Sequence, residues 1–283
     1  MNAETLIAQI TDLPTPSPVI IKLMDLLHQT DVENEQVVRV VKSDGALCAK
    51  VLAACNSAAF GLAEPVASVE QAVFYLGYQQ IFRIILALGV GKSLARALPA
   101  YLIDEQELWR HSLTAAVASE VMMAEGSSLE IEPSVAYTAG LLHDIGKLVL
   151  NQFLTPDSVT AIRSLVESQQ HSRVEAERAI LETDHAEVGA SLLKSWRLPE
   201  IIVEAVAHHH RPVLTPRPRL SAVVHVADCL AHQLSSSPGW DAYALRVDER
   251  AVSSLGFSPE KIERLLISAH ASLHCVEELA SVS

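Results

Sequence analysis

Apolar residues recur at helical spacing along almost the whole chain, and no alternating run bounded by turn signals interrupts them. This periodicity predicts an all-α protein. Helix-opening residues divide the pattern into elements. A short helix is expected over residues 4–10, followed by the turn-rich LPTPSP, with Pro18 opening a helix over 19–28. Asp31 opens the next, VENEQVVRVVK, with an acidic first turn that suits the helix dipole. Asp44 caps GALCAKVLAACN, and Ser68 opens a helix with Glu70 and Gln71 in its first turn. Residues 78–98 supply one or two more. The most apolar stretch, 81–90, is shorter than the roughly 18 residues that span a bilayer and is interrupted by Arg83, so it reads as buried helix, and no membrane contact is expected.

A proline followed by a fresh acidic start in ALPAYLIDEQELW places a boundary near residues 99–104. The expected organisation is therefore a helical N-terminal lobe over 1–100 packed on a helical bundle over 101–283. In the second lobe, helices are expected over 105–124, Pro133–Leu142, 165–181 and 186–195. Gly146 ends or bends the second of these. Pro199 opens IIVEAVAHHH, VLTPRPR is a loop, a helix follows over 220–234, SSSPGW is another loop, and 258–279 closes the chain.

With 283 residues and 49% hydrophobic content, the chain can build the core of one large or two small domains. The net charge of -13 repels a phosphate backbone, which argues against nucleic acid as a partner and against a DNA-binding helix-turn-helix in the first lobe. The opening MNAETLIAQI has neither a basic region nor a cleavage site, so no signal peptide is indicated and a cytoplasmic location is expected. Cys48, Cys55, Cys229 and Cys275 form no CxxC pair and read as buried free thiols.

The chemistry concentrates around LLHDIGK, residues 141–147, where His143 and Asp144 offer nitrogen and oxygen donors side by side. Adjacent helical residues diverge by about 100°, so both reach one ion only where a helix ends or faces a concave interior. The remaining donors must come from other helices. His111, His185, His209, His210 and Asp228 meet that need, and imidazole with carboxylate suits iron, manganese, zinc or nickel. Plainer readings stand beside this one. Asp144 can cap a helix or accept from His111, while His111 and His185 can be core histidines. Lys147 can complement a helix C-terminus or hold a phosphate. His208 reads as helix surface and His225 as packing or support behind the donors. Arg211, Arg217 and Arg219 form a local basic cluster. Phe74, Tyr75 and Tyr78 are expected to pack between the lobes, and Asn56 and Ser57 to serve capping and turn roles.

The order His, His-Asp, Asp, with HDIGK, resembles the HD superfamily of metal-dependent phosphohydrolases. HAEVGASLL, VAHHHRP and VHVAD narrow the resemblance to the HD-GYP and HDOD branches. LPTPSPVIIKLMDLL, VKSDGALCAKVLAACNSAAFG and VASVEQAVFYLGYQQIFRIIL are similar to an HDOD domain, the HD-related output domain of bacterial signalling proteins. The resemblance implies one metal site from His111, His143, Asp144 and Asp228 and a second from Asp144, His185, His209 and His210, with Asp144 as the bridge. It implies one or two divalent transition-metal ions. In related enzymes such ions activate water for attack on phosphorus, with Asp144 and Lys147 then in catalytic roles and a nucleotide or phosphomonoester as substrate. HD-GYP enzymes carry a DGxGYP-type segment after the double histidine, whereas this chain continues RPVLTPRPR, which argues against hydrolysis of cyclic di-GMP. HDOD domains are regarded as regulatory modules. The resemblance therefore implies a signalling protein that acts through a protein partner or a nucleotide or phosphate ligand, with a metal-dependent phosphohydrolase as the alternative.

Overall fold

The computed structural model describes residues 3–9, 18–27, 32–57, 60–62, 64–124, 131–168, 171–212, 218–234, 247–258, 260–265 and 267–268. The described residues form α-helices and no strand, with one isolated bridge between Leu98 and Ile103. Residues 1–100 contain α1 (Ala3–Gln9), α2 (Pro18–Leu27), α3 (Asn34–Lys42), α4 (Gly45–Cys55) and α5 (Val69–Leu94). A 3-10 turn at Pro99–Tyr101 leads to α6 (Glu107–Ala124), α7 (Pro133–Leu142), α8 (Gly146–Phe153), α9 (Pro156–Glu167) and α10 (Arg173–Leu181). Then come α11 (His185–Ser195), α12 (Glu200–His208), α13 (Pro218–Leu234) and α14 (Glu249–Leu255).

Local chemistry accounts for most of these boundaries. Asp44 Oδ1 accepts from the amides of Ala46 and Leu47, both at 3.0 Å, and Ser68 Oγ accepts from the Gln71 amide at 3.2 Å. The Asn56 side chain pairs with both backbone groups of Val66, at 2.9 and 2.7 Å, a structural role as expected. Asp31 lies outside the described residues; α3 begins at Asn34 under a capping box between Glu33 and Gln36. The single helix expected over 165–181 is two helices. Thr155 caps α9 with Pro156 in its first turn, and a second capping box, Ser172 with Glu175, opens α10. Those caps outweigh the apolar periodicity that runs across them. The last two residues of VLTPRPR belong to α13, which begins at Pro218, and its first five lie outside the described residues. Residues 10–17, 213–217, 235–246 and 269–283 lie outside the description, and with them most of LPTPSP, the SSSPGW loop, Cys275 and the end of the expected closing helix.

Helix α5 is long and apolar enough, by composition, to cross a membrane, yet half of its apolar window is buried in this fold. It breaks at Gly77, whose φ of 78° and ψ of 155° suit glycine alone. After the break, Ile81, Phe82, Ile84, Ile85 and Leu86 are buried, and Arg83 forms an ion pair with Glu120 on α6. Before it, Val69, Ala72 and Val73 face inward while Phe74 and Tyr75 are 80% and 61% exposed. The expectation that these two aromatics pack between lobes is thus wrong. They lie roughly 100° or more around the helix from the inward stripe. Tyr78 does pack against the core.

One hydrophobic core runs from Ala3 to Leu265 without interruption at the 3-10 turn. Helix α6 lies between α7 and α13, α11 lies between α8 and α12, and α1 reaches across to α11 and α8. Five of these elements point donors at one place.

Candidate metal centre

His111 projects from the middle of α6, His143 and Asp144 occupy the turn between α7 and α8, and His185 is the first residue of α11. His209 and His210 follow the end of α12, and Asp228 lies on α13. All seven sequence-predicted residues converge, and all but the half-buried His210 are buried. His111 Nε2 is 3.1 Å from Asp228 Oδ1, 3.3 Å from His143 Nε2 and 3.6 Å from Asp144 Oδ2. His143 Nε2 lies 3.3 Å from Asp144 Oδ2 and 3.6 Å from Asp228 Oδ1. The other oxygen of Asp144, Oδ1, faces His185 Nε2 at 3.5 Å, and His185 Nε2 is 2.8 Å from His210 Nε2. Asp144 therefore sits between two histidine groups, one facing each oxygen.

The outer ring nitrogens fix which inner nitrogens carry lone pairs. His143 Nδ1 donates to the Gly140 carbonyl and His209 Nδ1 to the Val206 carbonyl, both at 2.7 Å. His185 Nδ1 donates to Glu177 Oε2, also at 2.7 Å. Since those acceptors carry no proton, each ring turns its Nε2 inward as a donor atom, the arrangement that orients metal-bound histidines. His209 Nε2 is buried with no hydrogen-bond partner. An orphaned lone pair in a buried site costs about 1–3 kcal/mol and calls for a cation.

Charge points the same way. Burial opposes ionisation of Asp144, but Lys147, His143 and His185 hold its carboxyl well below the usual range. Burial likewise opposes charge on Asp228, and hydrogen bonds from His111 and His143 outweigh it. Burial works against a proton on His143 as well, yet the two carboxylates lift it to about 10. Burial takes His111 down to about 4 and His209 to about 3, and drives His210 well below its ordinary value. Without an ion the carboxylates thus favour a proton on His143, and, against burial, Glu177 favours one on His185, protons that a bound cation would displace, while His111, His209 and His210 stay neutral and able to coordinate. Ligand atoms about 2.0–2.2 Å from an ion stand about 2.8–3.6 Å from their neighbours, and the separations here cover that range. The donor set fits a divalent transition metal.

Two contributors, Glu177 and His232, were not legible from residue type, and a third, His225, takes the supporting one of its two expected roles. Glu177, fully buried, orients His185 and also accepts from the amide of His185, Arg173 Nε and the Tyr101 hydroxyl. His225, expected only as packing or support, donates from Nδ1 to the His209 carbonyl at 2.8 Å and accepts from the Asp248 amide at 2.9 Å, so it fixes the backbone of the double histidine. His232 lies one turn after Asp228, its Nε2 3.4 Å from Asp228 Oδ1. Gly146 does not end a helix but begins α8, where a Cβ would lie 1.9 Å from the His185 carbonyl oxygen. Lys147 turns inward, with Nζ 2.8 Å from Asp144 Oδ2. His208 is half-buried and Arg211 is exposed. Both line, with Arg178 and His210, a small cavity of about 140 Å³ on the outer side of His210. Arg217 and the side chain of Arg219 lie outside the described residues.

An all-helical bundle with histidines and aspartates converging from successive helices defines an HD-type domain. The chain belongs to the HDOD family, whose domain model matches residues 13–212. Its fold is that of an HDOD domain protein of unknown function from Geobacter sulfurreducens, 25% identical, with a TM-score of 0.69 over 99% of this chain and 92% of that one. A protein from Marinobacter aquaeolei VT8, provisionally named for signal transduction, is 24% identical with a TM-score of 0.74, covering 99% of this chain and 62% of its own. A protein from Shewanella amazonensis SB2B, provisionally named a phosphohydrolase, is 23% identical with a TM-score of 0.65 over 95% and 97% of the two chains. At these last two identities the likeness is one of fold. The chain spans less than half the length of the first curated relatives it matches.

Proposed function

We propose that this HDOD chain is a signalling module that holds one or two divalent transition-metal ions in the His/Asp cluster and acts through a protein partner. Residues 1–100 form the lobe that meets the partner and 101–283 the lobe that carries the site. His111, His143, Asp144 and Asp228 hold one ion; Asp144, His185, His209 and His210 hold the other. Bound ions of this kind supply Lewis acidity and lower the pKa of water. The chain's own residues do the rest: Asp144 bridges, Glu177 and two backbone carbonyls aim the rings, and His225 anchors the double histidine.

The observation that carries the signalling reading is the inward turn of Lys147. Lys147 is 2% exposed and its amine pairs with Asp144 at 2.8 Å, so it is spent on holding the bridging carboxylate and is not presented to a substrate. One observation favours the alternative, a phosphohydrolase acting on a nucleotide or phosphomonoester with Asp144 and Lys147 as its catalytic residues. The cavity beside His210 is rimmed by Arg178, His208 and Arg211, side chains suited to an anion.

Elemental analysis of protein expressed with iron, manganese, zinc and nickel, followed by a phosphoesterase panel, tests both. The signalling reading expects bound metal, its loss in Asp144→Ala, and no turnover. Metal-dependent turnover that disappears in Asp144→Ala establishes the hydrolase instead. Protein without any transition metal after metal-replete expression overturns both.

A further inference from the structure

His232 lies on the same face of α13 as Asp228, since residues four apart align along a helix. Its Nε2 is 3.4 Å from Asp228 Oδ1, the oxygen that His111 Nε2 approaches at 3.1 Å. The His111 and His232 rings stand 4.5 Å apart, tilted by 48°, and the donor atoms of His111, Asp228 and His232 all lie within 4.8 Å of one another. The His232 side chain is 9% exposed, so it belongs to the edge of the buried cluster and not to the surface.

A simple hydrogen bond from His232 to Asp228 does not account for this arrangement. At 3.4 Å the contact exceeds the usual 2.7–3.2 Å for N–H···O, and His111 already approaches the same oxygen more closely. Neighbouring ligands about 2.0–2.2 Å from one ion are about 2.8–3.6 Å apart, which accommodates both separations around Asp228 Oδ1. His232 also sits in the last turn of α13, where the helix dipole favours a cation.

We infer that His232 is an eighth metal ligand, which with His111 and Asp228 makes a two-histidine, one-carboxylate set at the α6–α13 end of the cluster. Together with His143 and Asp144 on the same ion it gives a five-ligand shell of imidazole and carboxylate, which suits a divalent ion of the iron or zinc type. The inference rests on the reading of the cluster as a metal centre. It predicts that the ion at this end is bound more tightly than the other, because two of its ligands come from one rigid helix.

The test compares wild type, His232→Ala and His232→Gln, loaded separately with iron and zinc. Metal content is read by elemental analysis, affinity by chelator competition, and the number of imidazole nitrogens per ion by X-ray absorption. Alanine should weaken one ion at least tenfold and remove one imidazole from the absorption shell. Glutamine keeps a donor toward Asp228 but no imidazole, so it should not restore the shell. Wild-type affinity and imidazole count in His232→Ala overturn the inference, and so does full rescue by glutamine, which would make His232 a positioning residue for Asp228. Wild-type protein that binds no metal overturns the metal centre itself, a result separable from these. If the alanine variant fails to fold, His232→Asn carries the same measurements.

Discussion

Glu177 accepts the His185 Nδ1 proton at 2.7 Å and holds the 3-10 turn through the Tyr101 hydroxyl at 3.0 Å. Burial opposes its charge, but His185 and Arg173 bring its carboxyl down to about 2. Removing such a support from a metal-bound histidine costs 10- to 100-fold in affinity. Glu177→Gln should therefore weaken metal binding by about that factor while the protein stays folded, read by chelator competition; unchanged affinity would remove His185 from the ligand set. A second residue tests the expectation of buried thiols. Burial pushes the Cys55 thiol up to about 11. With its pKa above its unfolded value, the group stays a neutral thiol at pH 8 and becomes largely thiolate only above about 11. Iodoacetamide at pH 8 should thus leave Cys55 unmodified in native protein and label it in denaturant; rapid native labelling would contradict its burial. At this scale, His143 and Asp144 were legible as adjacent donors, whereas His111 and His185 stood apart from core histidines only through the family resemblance. Glu177 was not legible, because a glutamate in RVEAERAIL looks like solvated helix surface until the fold places His185 beside it. The spacing of Asp228 and His232 was in plain view but lay outside the family pattern.

Between elements, the decisive approach is that of α8 to α11. Gly146 admits it, since a Cβ there would stand 1.9 Å from the His185 oxygen and 2.6 Å from the Gly189 amide nitrogen. Both obstacles are backbone, so neither can rotate away. Gly146→Ala should force the helices apart, destabilise the protein by about 3 kcal/mol, at the upper end of overpacking costs, and widen the 3.5 Å gap between His185 and Asp144. The paired measurement is a denaturant midpoint and metal content, and a variant with wild-type values of both would show that α8 and α11 are not so closely apposed. Helix starts were largely readable where the signal is local, as in the caps at Asp44 and Ser68 and the helix-opening Pro133. The division of 165–181 was missed because periodicity continues through Ser172, whose cap depends on a glutamate three residues later. The role of Gly146 was misread for a related reason: a glycine that permits close packing looks, in a lone sequence, like one that stops a helix.

Over the whole molecule, one hydrophobic core joins α1 and α5 to the bundle that carries the site. Through it the first helix, α1, rests on α11, the helix that begins with His185. All-α character followed from periodicity alone, whereas this continuity did not, because a proline and an acidic restart near residue 100 look the same whether the core divides there or runs through. Continuity has a thermodynamic consequence. A ligand that binds only the folded state stabilises it by RT ln(1 + [L]/Kd), about 4 kcal/mol when free metal exceeds Kd a thousandfold. In a chain of 283 residues that corresponds to roughly 8 °C in Tm. Because residues 1–100 share their core with the site, metal should raise the melting of that part and of the bundle together. Calorimetry of metal-loaded and chelator-treated protein should show one transition shifted by about that amount, with tryptophan fluorescence, whose three sources all lie beyond residue 100 and include the buried Trp109 and Trp196, tracking circular dichroism. An early transition that ignores metal, seen by circular dichroism but not by fluorescence, would mean that residues 1–100 unfold independently. The proposed action of a partner on that lobe would then need a route to the His/Asp cluster other than the shared core.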